Sequence, residues 1–578
     1  MGLVNLTIDG IEVEVERGTT IIEAARRVGI DIPSLCYDPR IEPFGACRLC
    51  FVEIENYPKP VTACSTEVSE GMVVKTNSSI LFEIRKTALE LILSNHYGDC
   101  TAPCRNACPA GIDIQGFIAH IANGAYNEAA ELIREDLPFP ASVGRICPRF
   151  CEKECRRQSV DEPISICLLK RFAGDEADNS YPLNSLPDTG KSVAVVGGGP
   201  AGLTAAYYLR QRGHRVVIFE AEPELGGMMR YGIPQYRLPK EVLDKEIKQI
   251  LKLGIEVKCG MKMGKDFNLQ NLKEQGFDAV FISIGCQADQ RLYLEGMDKQ
   301  GVYSGIEFLK NIAYGNSISL GKRVVVVGGG NTAMDAARTA VRLGAEEVLV
   351  VYRRTEKEMP AEPREVAEAK EEGVKFIFLA NPVRIIGGLA VEAVECIRME
   401  LGEPDASGRR KPIPIEDSEF LIQADAVIMA VGQRMEAESL RGSSGIKIDH
   451  QGFIEAEAET FRTSVEGVFA AGDCVTGPST VVEAIGCGKK AALAVDKYLR
   501  GEAVIPELKP YNCSKGRLEE IDPEEFKDIP QKLRQKESVL SVERRKSSFD
   551  EIVEGFSEKQ AVEEAMRCLS CGCSEVYE

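Results

Sequence analysis

A multidomain α/β protein is predicted by three observations: glycine-rich turns near positions 197 and 328, each between an apolar strand and a helix; a hairpin-and-helix pattern at the start; and twenty cysteines crowded toward both ends. A chain of 578 residues is too long for one hydrophobic core, so several domains are expected.

The balance of 44% apolar and 28% charged residues is that of a globular protein. A net charge of -19 excludes a nucleic-acid binder of the usual kind, because phosphate contacts need concentrated Lys and Arg. No stretch reaches the roughly 18 apolar residues of a membrane span, and MGLVNLTIDG has neither signal-peptide regions nor a myristoylation pattern. A cytoplasmic location is expected. Disulfides are rare there, so twenty cysteines point to metal. Eleven lie between Cys36 and Cys167, four between Cys513 and Cys573, and five are scattered between, a segregation that structural thiols would not show.

Residues 1–78 begin with LVNLTI and IEVEVE around Asp9-Gly10, a two-residue hairpin signal, and Thr19 or Thr20 then caps an amphipathic stretch ending at Gly29. This reads as a β-grasp domain. Cys36, Cys47, Cys50 and Cys64 follow as C-x10-C-x2-C-x13-C, four thiolates suited to one 2Fe-2S cluster, with Gly45 and Ala46 letting backbone amides approach the sulfurs. Structural zinc is the alternative. CYDPRIEPFGACRLCFVEI resembles the amino-terminal 2Fe-2S domain of the large iron-sulfur subunits of respiratory complex I and of iron hydrogenases.

Residues 79–180 open on a helical pattern, ILFEIRKTALELILSNH, leading to His96, Cys100, Cys104 and Cys108. Two helices divided at Asn123-Gly124 precede Cys147, Cys151, Cys155 and Cys167. Eight ligands is the number that two 4Fe-4S clusters require. DCTAPCRNACPAGIDIQGFI and GRICPRFCEKECRR resemble the amino-terminal helical domain of the glutamate synthase small subunit and of dihydropyrimidine dehydrogenase. The resemblance implies one cluster on Cys100, Cys104 and Cys155 and another on Cys108, Cys147 and Cys151. The chain lacks the cysteine that in the family precedes the position of Cys100, which leaves His96 as the candidate, as in the H-x3-C run of the complex I subunit, and Cys167 enters by stoichiometry.

SVAVVGGGPAGLTAAYYLRQRGHRVVIFEA holds Gly197, Gly199 and Gly202 as G-x-G-x-x-G inside a complete βαβ unit, with Glu220 ending the second strand as a ribose acceptor. KRVVVVGGGNTAMDAARTAVRLGAEEVLVVYRR repeats it with Gly328, Gly330 and Ala333, and Asn331 and Thr332 open its helix. Its second strand ends in Arg353 and Arg354, whose forked cations suit a 2'-phosphate, so this half is expected to prefer NADP. Asp473 lies after a strand and before a helix beginning near Thr480. In the disulfide-reductase-like flavoproteins that this pattern resembles, such an aspartate contacts FAD and the helix terminus faces the flavin. FDAVFISIGC and ADAVIMAVGQ look like paired strands carrying the chain between the nucleotide domains. ELGGMMRYGIPQYRLPKEVLDKEI and YRRTEKEMPA match the glutamate synthase small subunit, a resemblance running from about 97 to 505 that places Gly226, Gly227 and Arg230 along the FAD site.

The tail, residues 506–578, is charged and proline-punctuated and reads as an extended arm. Cys513, Cys568, Cys571 and Cys573 are candidates for a further C-terminal 4Fe-4S cluster or zinc.

The expected order is thus a β-grasp 2Fe-2S ferredoxin domain (1–78), a helical double 4Fe-4S domain (79–180), an FAD-binding domain (181–288 and 438–505), an NADP-binding domain (289–437), both Rossmann-like, and a cysteine-containing C-terminal arm. No side chain stands out as catalytic, since hydride transfer between stacked rings needs no acid or nucleophile. The family resemblance implies the NADP-binding subunit of an electron-bifurcating, ferredoxin-dependent NAD/NADP transhydrogenase, with an NADH-binding flavoprotein and a thioredoxin-like 2Fe-2S subunit as partners. A glutamate synthase small-subunit type, a formate dehydrogenase or hydrogenase diaphorase subunit, and a non-catalytic cluster relay are the alternatives.

Overall fold

The computed structural model describes residues 2–178, 184–290, 293–405, 408–437, 440, 445–506 and 511–572. Two compact units emerge: residues up to Asp99 together with Cys513–Lys515, and Cys100–Asn512 together with the chain from Gly516.

In the first unit the strands Leu3–Ile8 and Ile11–Glu16 form an antiparallel hairpin in which Ile8 pairs with Ile11. Asp9 and Gly10 both take positive φ, 48° and 85°, the left-handed turn that matches strand twist. Alternate residues Val4, Leu6, Ile8, Val13 and Val15 point inward. They meet Ile21 and Ile22 of the helix Ile21–Arg27, which Thr20 caps with a reciprocal box to Glu23. Val73–Lys75, Phe51–Ile54 and Val61–Thr62 complete a five-stranded sheet. The helix Ser79–Ser94 belongs to this unit rather than to the cluster domain after it. Arg85 explains the grouping: its guanidinium donates to the carbonyls of Leu49, Phe51 and Thr76.

The second unit starts with short helices, among them Ile114–Ala122 and Tyr126–Asp136, divided as expected at Asn123 and the left-handed Gly124. Two five-stranded sheets follow, parallel throughout. The first has the order Val468–Ala470, Ala279–Ile282, Ser192–Val196, Arg215–Phe219, Glu256–Lys258. The second has Val302–Ser304, Ala426–Met429, Arg323–Val327, Glu347–Tyr352, Lys375–Phe378. Each sheet is buried on both faces, which is why its strands read as apolar runs.

Two features depart from the sequence reading. FDAVFISIGC and ADAVIMAVGQ do not pair with each other; they enter separate sheets, and the antiparallel pair that carries the chain across is Ala288–Asp289, just after the first, with Gln433–Arg434, at the end of the second. An antiparallel sheet of Ala380–Ile386, Ala393–Pro404, Arg410–Pro414 and Phe420–Gln423, which no motif announced, is inserted in the second half.

The arm is extended with short helices at Val542–Ser547 and Glu558–Ala565. It docks through ion pairs made by buried arginines: Arg545 of the arm pairs with Glu371, and Arg145 and Arg171 pair with Glu551 of the arm. Among the described residues no helix is long and apolar enough to cross a membrane.

Candidate functional site

Cys36, Cys47, Cys50 and Cys64 come together in the first unit. Cys50 Sγ lies 3.3 Å from Cys64 Sγ, Cys47 N–H donates to Cys36 Sγ, and Leu35 N–H donates to Cys47 Sγ. Burial pushes the Cys64 thiol up to about 12. At Cys47 burial also works upward, but the amides of Leu35 and Leu49 and the Cys36 thiol hold it below its ordinary value. Four thiols with amides aimed at sulfur fit an iron-sulfur cluster, which takes them as thiolates and removes the cost of burying them. Gly45 is left-handed, φ 68°, and the amides that reach sulfur are those of Leu35, Cys47 and Leu49, not its own.

His96 sits exposed beyond the helix Ser79–Ser94, in the first unit, and its carbonyl accepts from Cys513 Sγ at 3.8 Å. Cys100 starts the second unit.

Within the second unit two further quartets form. Cys108, Cys147, Cys151 and Cys167 surround the buried Lys170. The Cys167 thiol donates toward Cys147 and, with Lys170, brings Cys147 down to about 7 against the opposing effect of burial. Burial raises Cys151 well above the usual thiol range. Cys104 and Cys155 line a second cavity, and the remaining thiols there belong to Cys568 and Cys571 of the arm. Cys100 does not line it, and Cys513 lies in the first unit while Cys568 and Cys571 lie in the second. Cys573 falls outside the described residues. Among the described residues no three Cys, His, Asp or Glu side chains converge as the ligands of a single ion would. A cubane holds its thiolates at its outer corners and takes a wider frame.

The nucleotide cavity opens at the carboxyl ends of the first parallel sheet. Gly197, Gly199, Glu220, Gly227, Asp473 and Thr480 line it. Gly197 takes φ 106°, and a Cβ there would stand 2.4 Å from the Ser283 carbonyl oxygen. At Gly199 the nearest atom to a Cβ is 3.8 Å away, so the backbone is open to a pyrophosphate. Gly202 is the tight one, its would-be Cβ only 1.9 Å from Gly197 O. Gly202→Ala is expected to push helix from strand, lowering stability by about 1–3 kcal/mol and stripping flavin; unchanged flavin content with an unchanged unfolding midpoint would contradict this.

Glu220 carboxylate oxygens accept from Gly198 N–H at 2.6 Å and Glu222 N–H at 2.8 Å, while burial raises its pKa. Burial likewise raises Asp473 to about 6, against the Ser479 hydroxyl that donates to it at 2.7 Å. Thr480 caps the helix Val481–Leu499 in a box with Glu483, directing the positive end of a 19-residue helix at the cavity. Two of the expected liners are supports instead. Arg230 is turned away, donating to the Leu225 carbonyl and pairing with Asp244, and Gly226 packs against Leu243 and Arg230. Sequence reasoning missed Lys310 and Glu222, an ion pair on the cavity wall joining residues far apart in the chain, and Lys170, which a helical spacing of three from Cys167 could have flagged.

The second glycine turn repeats the first. Gly328 takes φ 142°, Gly330 is open, and Ala333 is fully buried where the first turn has Gly202. Asn331 Oδ1 accepts from Glu362 N–H and Thr332 Oγ1 from Gln433 Nε2, so both side chains brace neighbouring loops. The two arginines diverge. Arg354 is buried, bonded to the Arg410 carbonyl and paired with Asp405 at 2.6 Å, whereas Arg353 is exposed and makes no ion pair among the described residues.

Three family profiles match: the pyridine nucleotide-disulphide oxidoreductase family over 191–488, a 2Fe-2S iron-sulfur cluster binding domain over 2–79, and dihydropyrimidine dehydrogenase domain II, 4Fe-4S cluster, over 95–181. NADPH-Fe(3+) oxidoreductase subunit beta of Geobacter sulfurreducens is 40% identical over 82% of this chain and 75% of its own. The NADP(+)-dependent formate dehydrogenase subunit beta of Moorella thermoacetica is 40% identical over 82% and 70%. The glutamate synthase [NADPH] small chain of Escherichia coli is 38% identical over 68% and 88%.

Proposed function

Because the chain belongs to the pyridine nucleotide-disulphide oxidoreductase family, we propose that it exchanges hydride between NADP(H) and FAD and passes single electrons through iron-sulfur clusters to or from partner subunits. It is an NADP-dependent iron-sulfur flavoprotein oxidoreductase subunit. The observation that carries the electron-transfer reading is one unit in which a nucleotide cavity and two cysteine quartets pack against a continuous core. FAD, when bound, takes electrons in pairs from a nicotinamide and releases them singly to iron-sulfur centres.

The chain's own residues hold and bias these groups. Glu220 and Asp473 offer acceptors to the sugar and ribityl hydroxyls, and the helix beginning at Val481 favours negative charge at its amino end. Lys170, buried among Cys108, Cys147, Cys151 and Cys167, offsets the charge of a 4Fe-4S cluster held there. The quartet Cys36, Cys47, Cys50 and Cys64 would hold the 2Fe-2S cluster.

The names of the two 40% identical relatives favour a diaphorase role, with the terminal chemistry on another subunit. The second reading is the bifurcating ferredoxin-dependent NAD/NADP transhydrogenase, supported by clusters of two kinds appended to one flavoprotein. A relay without nucleotide chemistry fits poorly with two open glycine turns.

Anaerobic titration with NADPH tests the proposal. Flavin absorbance should bleach and reduced-cluster signals should follow in electron paramagnetic resonance, NADH being much less effective; a flavin that NADPH leaves oxidised rules the proposal out. Partners co-purified from the native source, assayed for ferredoxin-linked NAD reduction, separate the two assemblies.

A further inference from the structure

The resemblance-based ligand set leaves one 4Fe-4S cluster on Cys100, Cys104 and Cys155 without a settled fourth ligand, and it leaves the cysteines of the arm without a partner site. The docking of the arm bears on both. The helix Glu558–Ala565 packs on the cluster domain, and the residues after it are pinned by a buried polar knot. Arg567, 1% exposed, pairs with Glu564 and Asp161 at 2.7 Å each and donates to the carbonyls of Glu162 and Lys532. In return Arg157, two residues beyond Cys155, donates to the Arg567 carbonyl. The next residue is Cys568. Ser570 and Gly572 then take left-handed φ of 50° and 81°, curling the C-x2-C segment back on itself. Gly572 passes so close to the start of the helix Pro103–Ala107 that a Cβ would stand 2.5 Å from Ala102 N, two residues before Cys104.

The thiols of Cys104, Cys155, Cys568 and Cys571 therefore line one cavity. Backbone amides approach the sulfurs: Arg105 at Cys104, Arg157 and Ile164 at Cys155, and Ser570 at Cys568. Such N–H···S bonds stabilise thiolates bound to iron. Gln115 lines the same cavity, is 8% exposed, and its Oε1 has no hydrogen-bond partner among the described residues, as expected of a group facing a ligand.

We propose that the arm supplies two of the four ligands of this 4Fe-4S cluster, Cys568 and Cys571 joining Cys104 and Cys155, with Cys100 outside the set. The inference rests on the reading of this region as a cluster domain. It makes the arm an integral part of the electron path: iron binding and arm docking stabilise each other, because neither half of the quartet is complete alone.

The test is a set of alanine variants in the full chain, assembled anaerobically and compared by iron, sulfide, zinc and FAD content and by electron paramagnetic resonance after dithionite reduction. Cys568→Ala with Cys571→Ala should lose about four iron atoms per chain and one 4Fe-4S signal, with FAD content reporting that the nucleotide domains folded. Cys104→Ala should lose the same signal, and adding it to the arm variant should remove no more iron. Cys100→Ala should keep that signal. Full iron in the arm variant, loss of that signal in Cys100→Ala, or zinc in place of iron would each overturn the assignment. Should the arm variant fail to fold, alkylation of the wild-type protein decides: Cys104, Cys155, Cys568 and Cys571 should be protected together and become reactive together once a chelator strips the iron, and labelling of Cys568 before stripping would refute the proposal. NADPH bleaching of the wild-type flavin is measured separately, so a failure of the functional reading leaves the iron result standing.

Discussion

Replacing Arg353 with serine should raise the KM for NADPH by roughly 10- to 100-fold while leaving that for NADH nearly unchanged, because a charge-assisted bond to a 2'-phosphate contributes about 1.5–3 kcal/mol. Arg353 follows the strand Glu347–Tyr352, the position at which this kind of βαβ unit meets the ribose. It is exposed, with no ion pair among the described residues, so its full charge is available. Arg354 is already committed to Asp405 and the Arg410 carbonyl, and Arg354→Ser should lower the unfolding temperature more than it alters nucleotide choice. Steady-state rates with an artificial electron acceptor measure both effects. If selectivity collapsed with Arg354→Ser and survived Arg353→Ser, the assignment would be reversed.

Glu372→Ala should cost about 3–5 kcal/mol of stability, the loss typical when one member of a buried ion cluster is removed. The Glu372 carboxylate is fully buried and bridges two equally buried guanidiniums, Arg338 at 2.8 Å and Arg342 at 2.6 Å. Both arginines also lie over the Tyr236 ring, that of Arg342 at 3.8 Å from its centroid. Without Glu372, Arg342 keeps, among the described residues, its bond to the Arg338 carbonyl and its place over the Tyr236 ring but no ion pair, and Arg338 must rely on Glu365 and Glu368. Burial works to raise the Glu372 carboxyl, but its two arginines hold it below the usual carboxylate range. A lowered native pKa means that this contribution is present above the unfolded-state value and is lost as pH falls through the native one. Glu346→Ala, which breaks only the exposed pair with Lys322, should leave the denaturation midpoint nearly unchanged. Equal denaturation midpoints for the two variants would show that the buried cluster contributes nothing net.

The two predictions differ in what the sequence reveals. Neighbouring arginines look alike in a string, and their fates separate only when the inserted antiparallel sheet brings Arg410 and Asp405 against one of them. That sheet was itself invisible, lacking glycine fingerprints or ligand spacing. The partner of Arg230 was hidden for the same reason: it pairs with Asp244, fourteen residues away, rather than lining the cavity. Signals closed within a few residues read correctly. Asp9-Gly10 makes the hairpin, Asn123-Gly124 divides two helices, and Thr480 caps the helix that faces the cavity.

The sequence by itself determined the parts: the 2Fe-2S thiol spacing, two βαβ units with their glycines, and the crowding of cysteines toward both ends. These follow from backbone sterics and short-range ligand geometry, which act over a few residues. Only the tertiary structure decided how distant thiols combine, bringing Cys568 and Cys571 to a cavity whose other cysteines lie more than 400 positions earlier. Such a meeting depends on buried ion pairs and packing between remote segments, for which no local pattern exists to be read.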